Sequence, residues 1–387
     1  MPKMRDVQEM SVAELRRRLT SAQGYAGRFR RASSEDVVAA VQRLAWVQLD
    51  SISTVERSHR LALTSRVGWY PPGTVSRLLG EGRLFEHWAH EACLLPIEDY
   101  PWHRWRMAFL VGSHWSTRFL RINPAEVDRV VAEVRERGPL TSRDFDGAGP
   151  AGPGGGMWNW KPAKAALEAA LTTGRLAVVG RNGFQRRYAA AEQVIPADLL
   201  ARPVPSTESF VRWATLRGVR ARGALTQRAV WEMWRLPPGQ VPVGPAVDAL
   251  VADGLLERRP VADGGPSVLI PPGSEPGDAP GPVLVSPFDN LVWDRAFLER
   301  AFGFRHVIEV YKRDPDRIYG YYVLPLLWRD RLAGRADLRH DREARTLVLK
   351  TFHAEPGVGQ AGLGEALDRA LNRLARCIGA ASVARPG

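Results

Sequence analysis

Val37, Val38, Val41, Leu44 and Ala45 recur at three- and four-residue spacing, the stripe that an amphipathic helix buries. The chain then runs into VQLDSIS, where the helical period gives way to more extended backbone around Asp50. Ser33 or Ser34 is placed to start that helix. An earlier short basic helix over 11–20 opens on Ser11, with Glu14 closing a capping box. Residues 74–80 read as helix again, and LFEHWAHEACLLP, rich in aromatics and bounded by Pro96, suits a strand pair or wing. These elements make a first helix, helix, helix, wing unit over residues 1–120.

The order returns twice. A helix from Pro124 to Arg137 is followed by GPLTSRDF, where Thr141 is placed to cap a second short helix. A Gly-rich break at 147–156 precedes KPAKAALEAALTTG, a third helix ending at Gly174. RLAVVGRNGFQRRYAA then reads as two strands joined at Arg181-Asn182-Gly183, completing a second unit over 121–200. SFVRWATLRG, GALTQRAVWEMW and GPAVDALVADGLLERR give a third unit over 205–270, with GALTQRAV standing where GPLTSRDF stood. PPGSEPGDAPGP at 271–282 reads as a loop or linker to a β-rich segment over 283–387 that closes on a helix near 363–378. The expected fold class is α+β: tandem winged-helix modules followed by a C-terminal β-barrel-like domain.

Composition narrows the function. The 387 residues carry a net charge of +12, which favours a polyanionic partner, because neutralising phosphates releases counterions. The basic residues are nearly all Arg beside abundant Ala, Gly and Pro, so single arginines carry little weight. Where acids are missing says more: none lies between Glu168 and Glu192, a span holding Arg175, Arg181, Arg186 and Arg187. A second acid-free run holds Arg212, Arg217, Arg220, Arg222 and Arg228. A solvated face is the alternative for both. No apolar run approaches the ~20 residues that span a bilayer. The start lacks a secretory h-region and only Cys93 and Cys377 are present, so a cytoplasmic, nucleoid-associated protein is expected, with no membrane partner and as a monomer.

No P-loop, dinucleotide-binding glycine motif, His-Glu-x-x-His or Gly-x-Ser-x-Gly occurs. His87, His90 and Glu91 lack the spacing for a tetrahedral metal set, so packing or hydrogen bonding is expected of them, and no metal or cofactor is predicted. Gly154-Gly155-Gly156 reads as a connector, and Trp46, Trp88, Trp102 and Trp105 as core. Gln48 and Asp50 stand apart. Two positions apart in extended chain, they face one side, just ahead of Arg57, His59 and Arg60. An amide and a carboxylate so placed can serve one reacting centre; Asp50 as a cap at the helix end is the alternative.

VQLDSIS, RSHRLALTSRVGWY, FEHWAHEACLLP, PWHRWRM, LVSPFDNLVWDR, FGF and YGYYVLPLL occur in the order in which similar segments stand in the winged-helix DNA glycosylases of the AlkZ/YcaQ type. The resemblance runs from about residue 10 to 355. It implies excision of alkylated purines and unhooking of interstrand crosslinks, with Gln48-Leu49-Asp50 as the catalytic signature in the Gln-x-Asp form of the broader-substrate, YcaQ-like branch. Double-stranded DNA carrying alkylated or crosslinked purines is then the expected partner. Charge and placement nominate Arg57, His59 and Arg60, with Lys161, Lys164, Arg181, Arg186 and Arg187, as DNA contacts. The rival class is a winged-helix DNA-binding protein without enzymatic activity, such as a transcription regulator, in which Asp50 is only structural. An RNA-binding or scaffolding protein is a third class, set back by the missing RNA-module signatures.

Overall fold

The Ser33 hydroxyl accepts the Asp36 N–H at 3.1 Å, and the Asp36 carboxylate accepts the Ser33 N–H at 2.8 Å. That reciprocal box starts the helix Ser34–Leu44, whose buried stripe is Val37, Val38, Val41 and Leu44. At the preceding helix, Val12–Ala22, Ser11 caps the Glu14 N–H as expected, but the Glu14 carboxylate turns to Arg18 at 2.9 Å instead of closing a box. A buried, cationic partner four residues on outbids an exposed backbone N–H. The computed structural model describes residues 9–111, 124–145, 162–236 and 239–385. They form a mixed α+β chain that divides into two units, Met1–Tyr70 with Ala89–Glu91 and Val211–Gly387, and Pro71–Trp88 with Ala92–Phe210.

In the first unit a curled sheet has the strand order Ser382–Ala384, Thr346–Ala354, Arg331–Asp341, Val323–Trp328, Val283–Leu284. All pairs are antiparallel except the first. Register shifts between Leu326 and Leu327 and between Asp337 and Leu338 are where extra residues bend the strands. The helix Leu363–Ile378 lays Leu363, Leu367, Leu371 and Leu374 on Leu326, Ala336 and Leu347, and Val55 and Leu61 from the N-terminal part join that core. Each buried leucine contributes about 1.5–3 kcal/mol.

A second core in this unit joins Met10, Leu15 and Leu19 to Val261, Ile270, Val285, Phe297 and Leu327. Leu225–Thr226, Val268–Ile270 and Glu257–Arg259 make a small antiparallel sheet, and Thr226 caps the helix Gln227–Trp234 through the Ala229 N–H at 3.1 Å. The Pro/Gly stretch is no free linker. Its Ser274 hydroxyl accepts from Arg18 at 3.0 Å, and its Gly277 N–H donates to Ser21 at 3.2 Å. Gly281 lies so close to Gly27 that a side chain on either would sit 2.8 Å from the other's backbone.

The second unit holds two hairpins, Leu84–Trp88 with Ala92–Pro96 and Leu176–Asn182 with Gln185–Ala190. Around them lie the helices Thr74–Gly80, Tyr100–Val111, Pro124–Arg137 and Pro162–Thr172. Asn182 pairs with Gln185, so the second hairpin turns on Gly183-Phe184, one position later than the Asn-Gly signal suggested. Gly183, at φ +62°, occupies the first central place, where a type II′ turn calls for glycine. Thr141 caps no helix among the described residues: its N–H and hydroxyl both go to Asp144, closing a turn. The Gly-rich break, with Gly154-Gly155-Gly156, lies outside the described residues.

Candidate active site

The helix Ser34–Leu44 ends before the motif, with the Ala45 N–H returning to Gln42. From there burial alternates: Val47 and Leu49 are buried, whereas Gln48 and Asp50 are half-buried. The two polar side chains therefore share one side of an extended segment whose other side is core. The Gln48 amide makes no hydrogen bond to a described residue and is free to bind from the motif.

Ser58, the first residue of the helix Ser58–Val67, fixes this segment. Its hydroxyl donates to the Gln48 carbonyl at 2.9 Å and accepts the Asp50 N–H at 2.8 Å. One buried hydroxyl thus clamps the backbone on both sides of Leu49. The Asp50 carboxylate accepts the Ile52 N–H at 2.8 Å, capping its own turn and not a helix. The alternative of a helix-end cap accordingly does not hold, since the helix closed five residues earlier. Burial raises the Asp50 carboxyl above the ordinary aspartate value, with the Ile52 N–H and the Arg57 charge pulling the other way.

The residues after the motif line a cleft of about 770 Å³. Ser51, Ile52, Ser53 and Thr54 form one wall, and Arg339, His340 and Asp341 at the end of the strand Arg331–Asp341, with Arg342 and Glu343 of the turn after it, form another. The His340 N–H donates to the Thr54 carbonyl at 2.9 Å, and Arg342 reaches the Ser53 carbonyl at 2.6 Å. Local sequence marks neither Ser58 nor this turn, because both act on the motif through partners distant in the chain or without periodicity. A serine just ahead of an apolar helix was the one available sign of Ser58.

The nominated cations separate by environment. Arg57 is half-buried and donates to the Ser51 carbonyl, and His59 is half-buried on the same helix as Ser58. Arg60 is a correction: at 7% exposure its guanidinium pairs with Glu56 and stacks over Tyr70, so it packs instead of facing phosphate. In the second unit Lys164 is half-buried and Arg187 exposed, while Lys161 lies outside the described residues. Arg181 and Arg186 also face inward. Both bind Glu86, whose side chain is fully buried, and Arg186 reaches Glu168 at 2.6 and 2.8 Å, where Tyr188 donates as well. Two carboxylates already claim these arginines. Arg186→Ala is expected to destabilise the protein by about 3–5 kcal/mol, because it strands buried carboxylates. Arg187→Ala, on the exposed side, is expected to stay within about 0.5 kcal/mol. Equal melting of the two variants would show that the network contributes no stability.

The histidines pack, as expected. His87 is buried, with its ring nitrogens 3.3 and 3.2 Å from the Trp88 and Thr172 carbonyls, and burial lowers it to about 4. His90 bonds the Glu232 carbonyl at 3.0 Å and stacks on Trp46 at 5.4 Å. Trp46 and Trp105 are core, Trp105 stacked on Phe210 at 4.1 Å, while Trp88 and Trp102 are half-buried. Among the described residues no group of three His, Cys, Asp or Glu comes together to hold a metal, and no helix is long and apolar enough to cross a membrane.

The fold has a solved counterpart. The DNA glycosylase AlkZ of Streptomyces sahachiroi superposes with a TM-score of 0.65 over 98% of this chain and 100% of that one, at 16% identity. At that identity the match speaks for the fold. A family model described as DNA glycosylase AlkZ-like matches residues 41–377, a span that includes Gln48, Asp50, Ser58 and the cleft. The chain therefore belongs to the AlkZ-like DNA glycosylase family: it is a DNA-repair enzyme that acts on DNA.

Proposed function

We propose that this glycosylase hydrolyses the N-glycosidic bond of N7-alkylated purines in duplex DNA, crosslinked guanine included, using Gln48 and Asp50 presented by winged-helix modules. An N7-alkylated purine is cationic, so the bond is already weakened and the departing base needs little acid assistance. The sugar becomes oxocarbenium-like. A carboxylate near that charge and a water held on the face opposite the base are the groups that speed the reaction, by the logic of glycoside hydrolysis. Asp50 stabilises the charge and accepts the water's proton; Gln48, able to donate and accept, holds the water.

The observation that carries this reading is the Ser58 clamp, which sets both side chains on one side of a rigid segment beside an open cleft. Arg57, His59, Lys161, Lys164 and Arg187 remain the sequence-nominated contacts for phosphate, and the cleft adds Arg342, beside Glu343 and an Arg339–Asp341 pair. A crosslinked base is tethered to the opposite strand and cannot swing fully into a deep pocket. An open cleft suits a lesion that stays in the duplex.

The test is a duplex carrying a single 7-methylguanine. Free base and an abasic site are expected, and borohydride is expected to trap no protein–DNA adduct, because no lysine lies near the motif. Failure to release the base at saturating enzyme would reject the substrate class. A trapped adduct would reject simple hydrolysis.

A further inference from the structure

Tyr322 is 1% exposed, yet its hydroxyl has no hydrogen-bond partner among the described residues. Its backbone is held on both sides, the N–H by Asp337 at 3.0 Å and the carbonyl by the Leu338 N–H at 3.3 Å. The ring belongs to the same buried cluster as Val55 and Leu61, with Ile52 packed at the margin. Next to it in sequence, Tyr321 lines the cleft together with Ser51–Thr54. The two tyrosines therefore approach the motif loop together, one from the cleft and one from the core beneath. Ser286 lies close to the Tyr322 hydroxyl but not in hydrogen-bonding geometry.

A buried hydroxyl without a partner is costly and calls for an explanation, of which a role in the chemistry of a neighbouring site is one. The charge that acts most on this hydroxyl is that of Asp50. Its Oδ1 takes the Ile52 N–H, and among the described residues no hydrogen bond reaches Oδ2. We propose that Tyr322 is a positioning residue for Asp50, its O–H donating to the free carboxylate oxygen and keeping the group ionised and aimed while positive charge develops on the sugar. The inference rests on the catalytic role proposed for Asp50. Burial first, and then the Asp50 charge, push the Tyr322 hydroxyl up, so it stays protonated and can only donate to a carboxylate. The other charges facing this place are Arg57, which acts on Asp50; Glu56, which acts on Tyr322 and His340; Arg342 at the Ser53 carbonyl; and Asp337 at the Tyr322 N–H.

Tyr322→Phe removes the hydroxyl and nothing else, and Asp50→Asn is measured beside it. The readouts are single-turnover release of 7-methylguanine across pH, affinity for the same duplex, and melting temperature. For Tyr322→Phe, release is expected to slow about tenfold, the loss of one hydrogen bond to a charged group. Its acid limb should move to higher pH, because Asp50 loses a donor to its ionised form. Affinity should be unchanged, and melting unchanged or raised, since no bond within the fold is broken. A wild-type rate and profile in Tyr322→Phe, with Asp50→Asn inactive, would overturn this inference and leave the Asp50 role standing. Activity lost in step with melting would make Tyr322 merely structural and overturn it too. Wild-type release by Asp50→Asn would remove the Asp50 role and this inference with it.

Discussion

Asp50→Ala is expected to cut single-turnover base release by about two to four orders of magnitude, the range lost with a general base or a preorganised electrostatic group. Binding of undamaged duplex should persist or tighten slightly, because a negative charge leaves the vicinity of phosphate. The fold should tolerate the change: among the described residues the carboxylate bonds only the Ile52 N–H, and the Ser58 clamp engages only backbone. Gln48→Ala should also slow release, and the double variant should lose less than the sum, because both groups act on one water. The wild-type rate should fall with acid through a midpoint above the ordinary aspartate value, since burial, the largest influence on Asp50, disfavours its ionised form. Wild-type excision by Asp50→Ala would return Asp50 to a purely structural role.

The motif was legible because its signal is local. Alternation in VQLD fixes which side chains leave the core, and the helix before it carries its own cap and stripe. The terminal helix and both hairpins were legible for the same reason. What escaped depends on distant partners: Ser58 acts through backbone atoms, Arg181 and Arg186 meet Glu86 about a hundred positions away, and Arg60 turns inward to Tyr70. An acid-free stretch looks like a phosphate-binding face only until the carboxylate from another strand is seen. The hairpin turn was placed one residue early because Gly183 can serve at the second central position of an Asn-Gly turn or at the first of a Gly-Phe turn, and the register takes the latter.

Asp289→Ala is expected to be among the most damaging single changes in the chain, about 3–5 kcal/mol, against total stabilities of about 5–15 kcal/mol for a folded domain. Asp289 and Arg66 are 0% and 2% exposed and meet in a two-pronged pair at 2.7 and 2.8 Å. Tyr25 donates to the same carboxylate at 2.6 Å, and Arg66 also donates to the Gln23 and Ala62 carbonyls. Removing the carboxylate leaves a buried guanidinium uncompensated. The pair matters for the active site because Arg66 sits on the helix that Ser58 begins, while Asn290, one residue on, donates to the Trp46 carbonyl at 2.8 Å just ahead of the motif. One short segment thus anchors both the clamp and what it clamps. Burial alone would raise the Asp289 carboxyl, but Arg66 and then Tyr25 outweigh it and hold it below the ordinary aspartate value. A group whose folded value lies below its unfolded one lends full stability above the unfolded value and loses it as pH falls through the folded one. Chemical denaturation followed from neutral pH into acid should therefore show wild-type stability declining below the ordinary aspartate range. Asp289→Asn should start lower at neutral pH and decline less. The exposed pair Arg129–Glu126 provides the contrast, since breaking it is expected to cost about 1 kcal/mol or less. Equal stability of Asp289→Ala and Glu126→Ala would show that the buried pair does not hold this part of the fold together.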